Sequence, residues 1–226
     1  MRASWTRDEV ILGLDVLILM RFRGLTQNHP KIIELSNLLN QLPIIPMRIR
    51  RDSFRNTVGV SAMLRNFWEG FEKSGQKFKV GELFYCVYQE YSNNFDELHK
   101  IAQAIRRCAA WVGEQPFGDP AEAQGFPEGA ILGHVHRLIE ARFAEKQPVP
   151  ADAACAVCGL HPVGLYAGLD GQHILSWHWL VAPVDVDPAL PLKPDDFTLL
   201  CANCHQALHQ IRPWRGRNTY GNILLI

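Results

Sequence analysis

Two pairs of cysteines in the last third of the chain constrain its fold more than any other feature. Cys155 and Cys158 form one pair, and Cys201 and Cys204 form the other, each with two residues between its members. Four thiolates arranged as two such knuckles match the closed tetrahedral ligand set of a structural zinc ion. The 42 residues between the pairs are more than a simple zinc ribbon holds, so a further element is inserted there. Four buried thiols or two disulfides are the alternatives.

The apolar segments argue against a membrane span and a signal peptide. The most apolar run, residues 10–20, is interrupted by Asp15 and is shorter than the roughly 20 residues that a spanning helix needs. Charged residues 7–9 precede it and no small-residue cleavage site follows, unlike the pattern of a secretory signal. We therefore expect a cytoplasmic protein, in which thiols stay reduced and paired cysteines bind metal.

Charge is distributed unevenly along a chain whose formal net charge is zero. Lys and Arg number 23 in the 226 residues, and so do Asp and Glu. Residues 1–80 hold 13 basic and 7 acidic residues, a balance of +6, whereas residues 81–150 carry −4 and residues 151–226 carry −2. Because basic segments bind polyanions by releasing their counterions, overall neutrality does not exclude a nucleic-acid partner. The 47% hydrophobic content argues against wholesale disorder.

The first 150 residues show mainly helical patterns. Thr6 and Glu9 form a capping box ahead of apolar residues at helical spacing. Residues 82–91 fit a helix and a strand equally well, and residues 115–129, with three Pro and three Gly, predict a linker. The predicted helices cover residues 6–18, 30–42, 60–71, 96–111 and 129–146.

Beyond residue 150 the pattern changes to short strands. Apolar runs at residues 163–166 and 174–179, separated by a glycine-containing turn, predict a β-hairpin. A proline- and aspartate-rich loop then leads to residues 197–200, the second cysteine pair and a short helix. The predicted fold class is α+β: a mainly helical domain over residues 1–114, a linker and connecting helix over 115–150, and a small zinc-containing domain over 151–226.

Three histidines and one aspartate lie around the second cysteine pair. His205 and His209 are four residues apart on the predicted helix, so their side chains leave the same face. His178 lies in the second strand of the predicted hairpin, and Asp196 precedes His205 by nine residues. The alternative that these are unrelated surface histidines fits badly with their shared spacing around the cysteine pairs.

This order of residues resembles the HNH, or ββα-metal, nuclease motif in its zinc-containing, McrA-like form. The most specific likeness is the CxxCHxxxH segment at residues 201–209. Asp196 stands where that family places its central Asn or Asp. The helical patterns before it, including His134, His136 and Glu140, resemble the N-terminal region of McrA-like restriction proteins.

The resemblance implies a metal-dependent DNA endonuclease that hydrolyses phosphodiester bonds in foreign or modified DNA, as a restriction or defence enzyme. His178 would then be the general base, and Asp196 would orient it or help to hold the metal. His205 would hold the catalytic ion, Mg²⁺ or another divalent metal such as Mn²⁺, and His209 would contact that ion or the scissile phosphate. The four cysteines would hold a structural Zn²⁺.

One residue departs from the family pattern. Trp177 stands where the family has a His or Asp metal ligand before the general base, and an indole cannot replace that ligand. The metal would then be held by His205 and Asp196 with water and phosphate, or by His178 itself, or by His173 reaching in from the hairpin. The competing functions are a zinc-containing nucleic-acid-binding protein with weakened catalysis and an RNA-cutting nuclease of the same type.

A basic cluster in the N-terminal domain is predicted to contact DNA. Arginine and asparagine supply donors for phosphate oxygens and base edges, and a solvated basic face is the alternative. The cluster consists of Arg48, Arg50, Arg51, Arg55 and Asn56. Double-strand cutting with one site per chain requires two chains or two successive nicks, so a homodimer is one expectation.

Overall fold

The computed structural model describes residues 4–72, 81–113, 129–163, 165 and 167–210. Its N-terminal helices are α1 (Arg7–Leu19), α2 (Pro30–Gln41), α3 (Thr57–Glu72), α4 (Glu82–Tyr91) and α5 (Phe95–Val112). The following elements are α6 (Ala130–Lys146), the short helix α7 (Gly171–Ile174), strand β1 (Leu175–Trp179), strand β2 (Phe197–Cys201) and helix α8 (Ala202–Gln210). No helix in these ranges is long and apolar enough to cross a membrane.

Helix α1 lies at the centre of the helical region. The predicted capping box is confirmed, because the Thr6 hydroxyl accepts a hydrogen bond from the Glu9 amide and the Glu9 carboxylate accepts one from the Thr6 amide. Residues 8–17 are all buried, and α1 contacts α2, α3, α4, α5 and α6. A helix surrounded in this way packs against neighbours on every side, which explains why its apolar residues are not confined to one face.

The structure shows which conformation residues 82–91 adopt and where the next helix stops. Residues 82–91 form α4, which buries Phe84, Val87 and Tyr91 at the three- and four-residue spacing of one helix face. Helix α5 ends at Gly113, whose φ of +61° lies in the left-handed region that favours glycine. The predicted linker lies outside the described residues except at its last position, Gly129.

The predicted β-hairpin is wrong. Val163 and Leu165 are exposed residues in turns, and β1 pairs instead with β2 in an antiparallel register that sets Trp179 opposite Phe197. The segment taken as the hairpin turn begins α7, because the Asp170 side chain accepts a hydrogen bond from an amide in the first turn of that helix. The glycine-containing segment therefore starts a capped helix and does not form a hairpin turn. The two strands that do pair are separated by 17 residues.

The helical region and the strands share one hydrophobic core. Trp179, Val186 and Phe197 belong to the same buried cluster as the helices, and α6 contacts both α5 and β1. The ring of Phe143 in α6 stacks on that of Phe197 in β2, with centroids 3.7 Å apart. A second, smaller cluster contains three of the paired cysteines with Leu175, Leu200 and Leu208. The structure therefore shows an α+β fold in which α6 joins the two parts; the predicted domain boundaries stay a prediction.

Candidate metal centres

The four paired cysteines converge on one point. Their Sγ atoms all lie within 4.8 Å of one another, and those of Cys158 and Cys201 are 3.8 Å apart. That separation is far longer than the roughly 2.05 Å of a disulfide. It equals the edge of a tetrahedron with metal–sulfur bonds of about 2.3 Å, which gives about 3.8 Å. The cluster could therefore hold a structural zinc ion, as the sequence predicts.

Local backbone geometry builds this cluster from two segments. The first pair sits on a tight turn in which the Cys155 amide donates to the Leu160 carbonyl and the Gly159 amide, at positive φ, donates to the Cys155 carbonyl. The second pair spans the junction of β2 and α8. Burial opposes ionisation of Cys155, but hydrogen bonds from backbone amides outweigh it and lower its pKa to about 7. A thiol ionised near neutral pH is suited to metal ligation.

The three predicted histidines converge on a second point. Strand β1 brings His178, and α8 brings His205 and His209 from one helix face. The ring centroid of His178 lies 4.8 Å from that of His205 and 5.2 Å from that of His209. One ring nitrogen from each of the three lies within 4.8 Å of the others. The arrangement can present three imidazole nitrogens to one ion.

Helix α6 adds a carboxylate and a fourth histidine that the sequence did not assign to the site. Glu140 Oε1 lies 3.0 Å from Nδ1 of both His136 and His178, and accepts a hydrogen bond of 2.9 Å from the Trp179 amide. Burial opposes ionisation of Glu140, but the two histidines outweigh it and hold the pKa of this carboxyl well below its usual range. The spacing of four residues between His136 and Glu140 puts both side chains on one helix face. That spacing is the sequence signal from which their meeting could have been predicted.

Glu140 determines how His178 can act. When Nδ1–H of His178 donates to the carboxylate, Nε2 is the nitrogen left to bind a metal or accept a proton. His178 is 0% exposed, and burial lowers its pKa to about 4. Burial likewise lowers the pKa of His205, and that of His209 to about 3. All three pKa values are therefore shifted in the direction that favours the neutral imidazole, the form that binds metals.

Two other residues were candidates for this centre. Asp196 ends a 3₁₀ turn, and its backbone carbonyl accepts a hydrogen bond from the Leu180 amide; its carboxylate belongs to none of the ligand groups among the described residues. The alternative that His173 reaches in is wrong. Its Nδ1 lies 2.8 Å from the Asp170 carboxylate at the start of α7, and its side chain is 54% exposed.

Trp177, the departure from the family pattern, faces away from the histidines. Its indole N–H donates to the Gln147 carbonyl at 2.7 Å, and its ring meets Phe143 edge-on. Neighbouring residues of a strand point to opposite faces, so the side chain at position 177 lies on the face opposite His178. The indole packs against the end of α6 instead of approaching the metal centre.

The predicted DNA-binding cluster is divided by the fold. Arg55 is only 7% exposed, and its guanidinium donates to Glu9 at 2.6 and 2.8 Å and to the Ser4 carbonyl. Arg50 donates to the carbonyls of Asn40, Leu42 and Ile45 at the end of α2. Burial therefore removes Arg55 from DNA contact, whereas half-buried Arg50 uses its guanidinium on backbone carbonyls and its contact with DNA stays a prediction.

The other three members of the cluster are exposed. Arg48 and Arg51 present their side chains to solvent, so DNA contact stays a prediction for them. Asn56 is also exposed, but its side-chain oxygen accepts a hydrogen bond of 2.8 Å from the Gly59 amide at the start of α3. The helix-capping role explains Asn56 without a ligand.

Comparison with known proteins finds no family model, no curated protein and no solved structure that matches this chain. The class that the fold and site define is an α+β protein with a cysteine cluster that could hold structural zinc. Beside it lies a centre of histidines and one buried carboxylate, which we call the histidine centre: His136, Glu140, His178, His205 and His209.

Proposed function

We propose that this protein is a metal-dependent endonuclease of the HNH class that hydrolyses phosphodiester bonds in DNA. The observation that carries the proposal is the strand–strand–helix unit of β1, β2 and α8, which presents three histidines to one point beside the cysteine cluster. A small unit of this kind has little core of its own, and a structural zinc would fix the helix relative to the strand.

The donor set supports a transition metal in the histidine centre. Imidazole nitrogens suit borderline ions such as Zn²⁺ or Ni²⁺, whereas Mg²⁺ prefers oxygen ligands in an octahedral shell. His178, His205 and His209 would hold the ion. A bound divalent metal polarises the phosphate and stabilises the charge that develops on the leaving oxygen. We therefore extend the expected metals, Mg²⁺ and Mn²⁺, to zinc and nickel.

With His173 excluded, two ligand arrangements remain: His205 and Asp196 with water and phosphate, or a set that includes His178. The burial of His178 favours the second. A general base must reach the proton that it removes, and a side chain with 0% exposure is shielded from bulk water. Its Nδ1 lies 3.0 Å from the Glu140 carboxylate, so we assign His178 as a ligand positioned by that carboxylate. The half-buried His205 and His209 are the members of the set with access to solvent.

The choice of DNA as substrate follows from the family resemblance and from the basic N-terminal segment. Arg48 and Arg51 are exposed, and exposed arginines bind phosphate oxygens without reading sequence. A role in restricting foreign or modified DNA, and a homodimer for double-strand cutting, belong to the same proposal.

Plasmid DNA tests the proposal when incubated with the zinc-loaded protein and a panel of Mg²⁺, Mn²⁺, Ni²⁺ and Zn²⁺. We expect nicking or linearisation with at least one of these metals. His205→Ala and His178→Ala should each lower the rate at least about 100-fold, because each removes a metal ligand. His161→Ala, which changes an exposed histidine outside the centre, should cut like the wild type.

Other results would separate the competing functions. Cleavage of RNA in preference to DNA would support the RNA-cutting alternative. If neither DNA nor RNA is cut with any metal, although both centres are shown to be loaded, the nuclease proposal fails. DNA binding retained under those conditions would favour a nucleic-acid-binding protein without catalysis.

A further inference from the structure

A pocket in the helical region is not used by the metal centres. Its volume is about 460 Å³, within the roughly 300–1,000 Å³ of small-molecule sites. The pocket lies between the N-terminal segment that carries Trp5, the 3₁₀ turn Met47–Ile49 and the start of α3. Its floor and rim differ in chemistry.

The floor of the pocket is aromatic and electrically balanced. Half-buried Trp5 and Phe54 line it, and the carbon of the Arg55 guanidinium lies 3.8 Å and 4.8 Å from their ring centroids. Glu9 pairs with that guanidinium at 2.6 Å. The guanidinium covers part of both rings, so a ligand would meet the remaining aromatic surface that lines the pocket, and this floor carries no large net charge.

The rim is apolar and cationic. Ile49 and Val58 are 58% and 52% exposed, an unusual exposure for β-branched apolar residues in a helical protein. Exposed Arg51 stands beside them. The first turn of α3 also lines the pocket, and the amides at the start of a helix favour a nearby negative charge.

We propose that this pocket binds a single unpaired nucleobase, with its phosphate held by Arg51 and the first turn of α3. Aromatic and arginine faces stack on bases without regard to sequence, and the apolar rim excludes water from the stacked ring. The identity of the partner rests on the proposed function, since a nuclease acting on DNA meets bases joined to phosphates. A nucleotide free in solution offers the same chemistry and is the second source to test.

Fluorescence anisotropy without added divalent metal measures binding independently of cleavage. The probes are labelled DNAs: a single strand, a fully paired duplex, and the same duplex with one unpaired central base. We expect the single strand and the unpaired-base duplex to bind about tenfold more tightly than the paired duplex, the size of one stacking contact. Val58→Met, an exposed change that narrows the pocket without adding an aromatic ring, should reduce this preference to within about twofold.

Two arginine variants identify the phosphate contact. Arg51→Ala should weaken binding of every probe severalfold, while Arg65→Ala, an exposed arginine of α3 outside the pocket, should bind like the wild type. Competition by dAMP but not by ribose 5-phosphate would show that a free nucleotide also fits. Thermal melting establishes that each variant is folded.

The proposal is overturned if folded Val58→Met keeps the preference for an unpaired base, or if the three DNAs bind equally to the wild type. These outcomes are distinct from failure of the nuclease proposal. A protein that binds unpaired bases but cuts nothing would keep this pocket assignment, and one that cuts DNA without the preference would lose it.

Discussion

At the scale of single residues, the decisive contacts join side chains that are far apart in the sequence. Arg55 and Glu9 are 46 residues apart and form a buried ion pair. In sequence Arg55 was one of several neighbouring arginines, and nothing local distinguished it from exposed Arg51. Residue type and spacing could predict the cysteine cluster because both pairs repeat one pattern. Pairing across the fold depends on packing and could not be read from those patterns.

Glu140 gives the first prediction at this scale. Glu140→Gln keeps the shape of the side chain but removes the negative charge that lies 3.0 Å from Nδ1 of both His136 and His178, so His178 loses the group that would position it. We expect the affinity of the histidine centre for Ni²⁺ or Zn²⁺ to fall about 10- to 100-fold. Isothermal titration on protein whose cysteine cluster is already zinc-loaded measures this change.

The matched control is Glu145→Gln, an exposed change in the same helix. It should leave both metal affinity and stability unchanged, since its carboxylate is solvated. If Glu140→Gln binds metal as tightly as the wild type, the carboxylate does not position His178. Its burial would then serve only to connect α6 with β1.

At the scale of elements, the sequence predicted the helices better than the sheet. Helices are specified by local spacing, capping and stop signals, as at Thr6 and Gly113. The partner of β1 was missed because it follows a 17-residue connection, and strand pairing over such a distance leaves no local signal. The role of α6 was missed for the same reason, since its amphipathic pattern did not show that it faces both α5 and β1.

Asp8 anchors the helix that carries Glu140. Its carboxylate accepts hydrogen bonds of 2.8 and 3.1 Å from the amides of Ala130 and Ile131, at the start of α6. The residue before this helix, Gly129, supplies no side-chain cap. Asp8 thus caps the helix from α1, 122 residues away in the sequence. Position and orientation of Glu140 depend on this contact between two helices.

The pKa of Asp8 gives a prediction for stability against pH. Burial is the main cause that raises its pKa from 3.8 to about 6, so the folded state holds its proton more tightly than the unfolded state. The contribution of this group to the free energy of unfolding is fully present below pH 4. It falls by on the order of 3 kcal/mol as the pH rises through 6.

Asp8→Asn removes this titration and retains one acceptor for the α6 amides. Urea unfolding of both proteins between pH 4 and pH 8 isolates the effect. We expect the wild type to lose stability relative to Asp8→Asn as the pH rises from 4 to 7. A difference that stays constant over this range, or that changes in the opposite direction, would contradict the raised pKa.

At the scale of the whole molecule, the described residues form two hydrophobic clusters of unequal size. The large one joins the helices to one end of the strand pair. The small one surrounds Cys155, Cys201 and Cys204 and includes Leu208 of α8. So small a cluster buries too little apolar surface to hold α8 in place by itself. Metal binding would supply the missing stability, and α8 carries two ligands of the histidine centre.

Cys158→Ser tests this dependence directly. Cys158 is the exposed member of the cysteine cluster, so its replacement removes a metal ligand without opening a core cavity. We expect one fewer zinc ion per chain and faster amide exchange in β1, β2 and α8, while α1 and α2 keep their protection. Weaker metal binding at the histidine centre should follow, because His205 and His209 lose their fixed position.

Cys86→Ser is the matched control, since Cys86 is also exposed but lies on α4 outside the cysteine cluster. It should retain zinc and the exchange pattern of the wild type. Unchanged zinc content in Cys158→Ser would show that the four thiols are not the metal site. Faster exchange in every helix would show instead that the shared core, joined through α6, transmits the loss of the cysteine cluster to the whole molecule. If the faster amide exchange of Cys158→Ser is confined to β1, β2 and α8, zinc is identified as the local support of the histidine centre.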